Sequence, residues 1–170
     1  MCTTPIGDMS MNTFPNTEAN GFDYSSFKKL LPNPDHFRLV IFKLPFSESL
    51  HLKCAMGDCW DKHYEWCSVT ISEFIDDLIS AIHTGTMPLC REKFENPDIL
   101  IVDDLQHIAG KEATQEEFYR IIKHRIEHKK TTIIFSQLSL TQMRGMMRDE
   151  LFQLLSTEYN EDGALSFQYR

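Results

Sequence analysis

The run ILIVDDLQHIAGKEATQEEF, from Ile99 to Phe118, carries more structural information than any other part of this sequence. Four consecutive apolar residues, partly β-branched, lead directly into Asp103 and Asp104. Such apolar runs are typical of strands buried on both faces of a parallel sheet. Paired carboxylates at the end of such a strand suit a nucleotide-hydrolysing site, where one binds magnesium and its neighbour orients water. They equally suit a strand that ends in a polar turn, and the pattern alone leaves both interpretations open.

The rest of the chain alternates between apolar strands and amphipathic helices. Strands are predicted at FRLVIFKL, WCSVTI, ILIVDDL and TTIIFSQL, with ALSFQYR as a final edge strand. Helices are predicted over about residues 47–59 and at SEFIDDLISAIHTG, TQEEFYRIIKHRIEHKK and SLTQMRGMMRDELFQLLS, the last weakened by its glycine. The segment MPLCREKFENPD is predicted to be a connector with room for one helical turn. This alternation predicts an α/β fold with helices on both sides of a parallel sheet.

Local signals predict where the two strongest helices begin and end. Ser72 is placed to cap the first of them, and Gly85 is placed to terminate it. Thr114 and Glu117 have the spacing of a capping box at the start of the second. The basic residues of the second helix are predicted to form its solvated outer face. They are Arg120, Lys123, His124, Arg125, His128, Lys129 and Lys130.

Composition limits the class of protein. The formal net charge of −8 argues against a general nucleic-acid-binding surface, because phosphate contacts need clustered lysine and arginine. No apolar run approaches the ~20 residues of a membrane span, and the N-terminus lacks the pattern of a secretory signal. Five cysteines, an odd number, suit a reducing cytoplasm better than a disulfide framework. We therefore expect a cytoplasmic protein with a flexible N-terminal arm over residues 1–22 and one core domain over residues 23–170.

Three longer stretches resemble a known family. VTISEFIDDLISAIHTG, REKFENPDILIVDDLQHIAGKEATQEEFYRII and TTIIFSQLSL are similar to the ATPase core of the bacterial replication initiator DnaA. In that family an apolar strand ends in Asp-Asp-Ile-Gln, followed by Leu-Ala-Gly-Lys and Thr-Gln-Glu-Glu-Phe. DDLQHIAGKEATQEEF matches this run nearly position for position, and the resemblance covers roughly residues 68–137. It implies an AAA+ core with the P-loop NTPase fold, a three-layer α/β/α sandwich around a mainly parallel five-stranded sheet.

The phosphate-binding loop of that family has no counterpart in this sequence. Such a loop needs glycines, so that backbone N–H groups surround the phosphates, then a lysine, and a serine or threonine for the metal. If SLHL aligns with the family's Lys-Thr-His-Leu, Ser49 replaces the lysine and Leu50 replaces the threonine. Phe46 and Glu48 then stand where glycines belong. The family's polar sensor residue would fall near Leu138, an apolar side chain, so the resemblance implies a degenerate ATPase site.

Other parts of the family also lack a match. Arg144 and Arg148 follow the fourth strand without a clean register to the family's arginine segment. We expect no small helical lid and no C-terminal DNA-binding helices. Asp103 and Asp104 are then interpreted as a remnant of a metal and nucleotide site, or as structural polar caps. No cofactor is predicted, and binding of ATP with magnesium is the weaker alternative.

We therefore predict a non-catalytic, regulatory interaction module linked to the initiation of DNA replication. Its protein partner would be a DnaA-type initiator or another replication protein, with no membrane and no direct nucleic-acid contact. One predicted contact patch comprises Gly110, Lys111, Glu112, Gln115 and Glu116. Two alternatives stay open: a protein that binds ATP or ADP with weak or no ATPase activity, and a DNA-binding replication accessory protein.

Two further groups contain residue types that bind metals. One lies within a short span and comprises His51, Cys54, Cys59, His63 and Cys67. It contains no Cys-x-x-Cys pair, and buried free cysteines are common in protein cores. The other is the pair His124 and His128, one helical turn apart, which would need a third ligand. We predict a metal site at neither.

Overall fold

A computed structural model of the chain describes residues 38–43, 49, 50, 53, 56 and 64–161, with side chains as far as residue 156. The predicted arm over residues 1–22 and the predicted edge strand ALSFQYR lie outside these residues. Of the helix predicted over residues 47–59, Ser49, Leu50, Lys53 and Met56 are described, and each has helical backbone. The described residues define a central sheet and the edge at which its strands end.

Four parallel strands form this sheet. They are β1 (Leu39–Lys43), β2 (Trp66–Thr70), β3 (Ile99–Asp103) and β4 (Thr131–Ser136), in the spatial order β1-β4-β3-β2. Neighbouring parallel strands need long crossover connections, and helices supply them here. The predicted α/β fold with a parallel sheet is confirmed. The described residues contain four strands, whereas the resemblance implied five.

The two central strands are buried along their whole length. Every residue of β3 and of β4 is buried, which explains why both segments are so apolar. On one face of the sheet the ring of Phe74 lies 5.0 Å from that of Phe94 and 5.7 Å from that of Phe118, edge to face in both cases. These three rings join the helices that cover this face.

Within the described residues five α-helices accompany the sheet. They are α1 (Ile71–Thr84), α2 (Met87–Glu95), α3 (Glu112–Glu127), α4 (Leu140–Met143) and α5 (Asp149–Glu161), with 3₁₀ turns at Leu105–Ile108 and Arg144–Met146. The connector MPLCREKFENPD therefore contains a nine-residue helix rather than one turn. The single helix predicted at SLTQMRGMMRDELFQLLS is broken into α4, a 3₁₀ turn that contains its glycine, and α5. None of the helices in the described ranges is long and apolar enough to span a membrane.

The sequence correctly predicted the C-terminal end of α1 but not its N-cap. Gly85 ends the helix as predicted, with a φ of +69° that favours glycine. Thr70, and not Ser72, is the N-cap. Its hydroxyl accepts a hydrogen bond from the backbone N–H of Glu73 at 3.2 Å, and the Glu73 carboxylate accepts one from the backbone N–H of Thr70 at 2.8 Å. The start of α1 is therefore a capping box two residues earlier than the sequence suggested.

The capping box predicted at Thr114 is wrong, because α3 begins two residues earlier, at Glu112. Glu117 accepts hydrogen bonds instead from the guanidinium of Arg91 on α2, at 2.9 and 3.0 Å. This two-point contact joins α2 to α3.

The predicted solvated basic face of α3 is wrong at one position. Arg125 is completely buried, and its guanidinium donates hydrogen bonds to the carbonyl oxygens of Phe94 at 2.8 Å and Pro97 at 2.9 Å. It also donates to the hydroxyl of Thr132 at 2.9 Å. Burial lowers the pKa of Arg125 to about 10. Arg125 therefore ties the end of α2 and the start of β4 to α3.

Candidate functional site

The carboxyl ends of the parallel strands meet at one edge of the sheet, where open α/β proteins commonly bind ligands. Asp103 is the last residue of β3 and pairs in register with Thr70 of β2. Only 6% of Asp103 is exposed. Asp104 follows it, is half-buried, and has left-handed backbone with a φ of +56°. Adjacent residues at a strand end diverge in direction, so the two carboxylates have different neighbours.

Lys53 forms an ion pair with Asp103. Its ammonium nitrogen Nζ donates a hydrogen bond to Oδ2 of Asp103, and the two side chains are 18% and 8% exposed. Burial raises the pKa of Asp103 above its ordinary value, and the hydrogen bond and charge of Lys53 oppose that rise. The carboxylates of Asp104 and Glu73 raise this pKa as well. The positive charge beside Asp103 at the end of β3 is therefore that of the Lys53 side chain.

Gln106 links the second aspartate to the neighbouring strand. Its Nε2 donates a hydrogen bond to Oδ1 of Asp104 at 2.9 Å. Its Oε1 accepts hydrogen bonds from the hydroxyl of Ser136 at 3.1 Å and from the backbone N–H of Gln137 at 3.2 Å. Leu138, at the predicted sensor position, packs against the core. One oxygen of Asp104 is therefore already engaged by a side chain that spans β3 and β4.

The positions predicted to replace the phosphate-binding lysine and the metal-binding threonine are both described. Ser49 is 4% exposed, and its side chain carries no charge. Leu50 is 44% exposed and has no oxygen in its side chain. Phe46 and Glu48, predicted at glycine positions, lie outside the described residues. The described part of this segment therefore presents a small hydroxyl and an alkyl group where the family resemblance implies a lysine and a threonine.

The predicted contact patch is only partly at the surface. Gly110, Lys111, Glu112 and Glu116 are exposed, but Gln115 is 2% exposed and cannot contact a partner directly. The amide of Gln115 explains its burial, because all of its polar atoms have backbone partners. Its Nε2 donates to the carbonyls of Ile108 at 3.0 Å and Met146 at 3.1 Å, and its Oε1 accepts from the N–H of Arg148 at 2.7 Å. Gln115 thus positions the segment before α5, and the patch is corrected to four residues.

The arginines after β4 interact with acidic and aromatic side chains on the helices. Arg148 donates a hydrogen bond to the Glu116 carboxylate at 3.0 Å, which raises the pKa of Arg148. Its Nε lies 3.6 Å from a carboxylate oxygen of Glu150. The guanidinium of Arg144 lies over the ring of Phe152, 5.5 Å from its centre. Both arginines therefore have partners on the helices α3 and α5.

Of the two possible metal-binding groups, only the pair of His124 and His128 lies wholly within the described residues. Among these residues no three histidine, cysteine, aspartate or glutamate side chains form a metal-binding group. The rings of His124 and His128 stack with their centres 3.9 Å apart. Cys67 and Cys90 are buried, and burial raises the pKa of the Cys90 thiol. The first four members of the predicted cysteine–histidine group lie outside the described residues.

Sequence comparison then decides the family. A sequence profile of the bacterial DnaA ATPase domain matches residues 50–158, which is more than half of the chain. The chain belongs to the bacterial DnaA ATPase-domain family. The DnaA of Nautilia profundicola is 31% identical over 133 residues, which make up 75% of this chain and 30% of that protein. The resemblance stated from the sequence is confirmed.

Solved DnaA structures have the same fold. Domain III of the Thermotoga maritima DnaA has a TM-score of 0.68 at 20% identity, over 78% of this chain and 57% of that one. The AMPPCP-bound DnaA of Aquifex aeolicus has a TM-score of 0.71 at 23% identity, over 79% of this chain and 43% of that one. These likenesses confirm the predicted α/β fold with a parallel sheet. The chain spans about a third of the length of its curated DnaA relative.

Two site residues escaped the sequence interpretation, Lys53 and Gln106. Lys53 lies four residues after Ser49, which places both on one side of the predicted helix. That spacing was a usable signal, because a cation one turn beyond the phosphate-loop position faces the same strand end. Gln106 gave no comparable signal, since a polar residue in a turn is ordinary.

Proposed function

We propose that this chain is a non-catalytic member of the DnaA ATPase-domain family that acts in replication initiation by binding other proteins. The observation that carries the proposal is the ion pair between Lys53 and Asp103. In a hydrolytic site of this fold class the aspartate at the end of the strand binds magnesium. Here a lysine side chain pairs with the same carboxylate.

The energetic argument is electrostatic. The Lys53 ammonium offsets the charge of the Asp103 carboxylate and repels a divalent ion placed beside it. Ser49 offers no charge to a phosphate, and Leu50 offers no oxygen to a metal. The described residues therefore do not fit a magnesium–nucleotide complex.

Exposed charged side chains on this fold could bind another protein. Lys111, Glu112 and Glu116, which we call the loop–helix patch, are exposed where the turn after β3 enters α3. Gly110 precedes them in left-handed backbone. Mixed charges on a rigid helix start suit electrostatic recognition of a complementary protein surface. The partner is proposed to be a DnaA-type initiator or another replication protein, whose assembly the chain would modulate.

Binding to a DnaA-type initiator from the same source tests this proposal. A Lys111→Glu/Glu112→Lys swap reverses two charges of the loop–helix patch and leaves the net charge unchanged. Its matched control is a Lys123→Glu/Glu127→Lys swap, which reverses two exposed charges roughly 20 Å away on the same helix. We expect about tenfold weaker binding for the first swap, or ~1.4 kcal/mol, and little change for the second.

Failure of the unaltered chain to bind the initiator, or to change its assembly, would remove the main support for this proposal. Equal losses from the two swaps would show that the loop–helix patch is the wrong surface. Both results are read from the same interferometry or light-scattering experiment, with circular dichroism to establish that each variant is folded.

Two alternatives are distinguished by separate measurements. Calorimetry with ATP and magnesium is expected to show no binding heat, and a saturable heat would favour a nucleotide-binding protein. A mobility shift with single- and double-stranded DNA is expected to be absent, because the net charge is −8. A salt-sensitive shift would favour a DNA-binding accessory protein instead.

A further inference from the structure

The ion pair at the end of β3 also indicates which charged group stabilises the Asp103 carboxylate. We propose that the ammonium group of Lys53 is a tethered cation, which takes the position of a divalent metal ion at Asp103 and closes that carboxylate to metal. This inference rests on the non-catalytic half of the proposed function and is independent of the partner.

Negative charge is concentrated around Asp103. Its side chain is 8% exposed, Asp104 follows it directly, and the carboxylates of both Asp104 and Glu73 interact unfavourably with it. A buried carboxylate in such surroundings is strongly destabilising unless a counter-charge and hydrogen bonds offset its loss of hydration. A cation at this position therefore stabilises the ionised form of Asp103.

Lys53 supplies that cation from a segment with helical backbone. Ser49 and Met56, four residues before it and three after it, are both buried, so this side of the segment packs into the protein. The aliphatic stem of Lys53 carries its ammonium inward to Oδ2 of Asp103. Lys53 also acts favourably on the carboxylate of Glu73. The Lys53 ammonium thus interacts favourably with two of the three carboxylates, those of Asp103 and Glu73.

The contact also excludes a metal ion. Magnesium coordinates oxygen at about 2.0–2.1 Å and requires near-octahedral surroundings. An ammonium that is already hydrogen-bonded to Oδ2 occupies the approach to that oxygen and repels a second cation. The tethered cation therefore predicts that folding and stability are independent of magnesium, and that removal of the ammonium opens Asp103 to divalent ions.

The test combines a double-mutant cycle with manganese as the probe. Lys53→Met, Asp103→Asn and the double variant are compared with the unaltered chain by thermal unfolding, with EDTA and with millimolar MnCl₂. Lys53→Met is expected to lower Tm by about 5–10 °C, and adding Asp103→Asn is expected to recover most of this loss. Manganese is expected to raise Tm of the Lys53→Met variant alone.

Lys93→Met provides a matched control. It removes a lysine that pairs with Asp77 at 2.6 Å, but both of those side chains are more than a third exposed. Its Tm is expected to change by less than about 3 °C, without a response to manganese. If the Lys53→Met variant does not fold, the Asp103→Asn variant is compared with the double variant instead. Introducing Lys53→Met into the Asp103→Asn variant must then raise Tm, because it removes an unpaired buried ammonium.

Independent effects of the two substitutions would overturn the tethered cation. Equal responses of the unaltered chain and the Lys53→Met variant to manganese, whether both bind or neither does, would overturn the exclusion of metal. Initiator binding is measured on the same variants below their Tm. If the Lys53 and Asp103 substitutions act independently while the initiator still binds, this inference alone is disproved. If the two substitutions are coupled but the initiator does not bind, only the proposed partner is disproved.

Discussion

Gln106 donates a hydrogen bond from Nε2 to Oδ1 of Asp104 at 2.9 Å, and Asp104 has a φ of +56°. Non-glycine residues adopt this left-handed conformation at a cost, which aspartate tolerates better than most. The other end of the Gln106 amide accepts hydrogen bonds from Ser136 and Gln137 at the end of β4. One side chain therefore fixes the second aspartate and joins two strand ends.

Replacement of Gln106 by leucine is expected to lower the free energy of unfolding by about 1–3 kcal/mol, because it leaves several partly buried polar groups without their partner. Urea denaturation measures this loss. Gln137→Leu is the control, since that side chain is exposed, and a change within about 0.5 kcal/mol is expected. Similar losses for both variants would contradict a role for the Gln106 amide.

Replacement of Arg125 by methionine is expected to cost about 3–5 kcal/mol of stability, because the carbonyl oxygens of Phe94 and Pro97 and the hydroxyl of Thr132 lose their donor. Arg120→Met on the same helix is the control, because Arg120 is exposed and its ion pairs with Glu116 and Glu117 are weak. The measurement is chemical denaturation, with hydrogen exchange of the β4 amides as a local readout. Equal stability of the two variants would be inconsistent with a structural role for Arg125.

The capping box of α1 predicts a pH dependence. Hydrogen bonds from Thr70 lower the pKa of Glu73 below its ordinary value of 4.5. A lowered folded pKa stabilises the protein above the unfolded value, and this stabilisation is lost as the pH falls through the folded pKa. Glu73→Gln is therefore expected to cost about 0.3–1 kcal/mol at pH 7 and less than that at pH 3. A loss that is the same at both pH values would mean that the charge of Glu73 is irrelevant.

Two glycines predict opposite effects of the same substitution. Gly110 has a φ of +69°, so Gly110→Ala is expected to destabilise the chain by about 1–2 kcal/mol although no atom obstructs the new methyl group. Gly145 lies in the 3₁₀ turn without positive φ and with open space around it. Gly145→Ala is expected to stabilise by about 0.4–1 kcal/mol, because it restricts the unfolded chain. Thermal unfolding measures both, and a shared sign would contradict the backbone argument.

The strands were predictable because burial on both faces leaves a sequence signature that needs no tertiary information. Ile99 to Val102 and Thr132 to Phe135 are strands because nearly every side chain in them is apolar or β-branched. Helix starts were less predictable. Ser72 and Thr114 have the right chemistry, but α1 begins directly after Thr70, the last residue of β2, and α3 begins at Glu112, soon after the 3₁₀ turn that follows β3.

The sequence did not predict which polar side chains are buried. Gln115 and Arg125 lie at helical spacing from the buried Phe118, Ile121 and Ile122, but their polar side chains predict exposure, and both are buried. Each satisfies backbone groups of distant segments, 31 and 33 residues away for Gln115 and as much as 31 residues away for Arg125. Such partners become neighbours only when the helices pack on the sheet, so no local pattern predicts them.

The sequence by itself determined the fold class and the family, and it predicted that Ser49 and Leu50 replace two phosphate-loop residues. These follow from local periodicity and from residue identity at matched positions. Only the tertiary structure showed that Asp103 is paired with Lys53, fifty residues earlier in the chain. The reason is physical: the state of a carboxylate depends on its burial and on the charges around it. Both are properties of the folded chain.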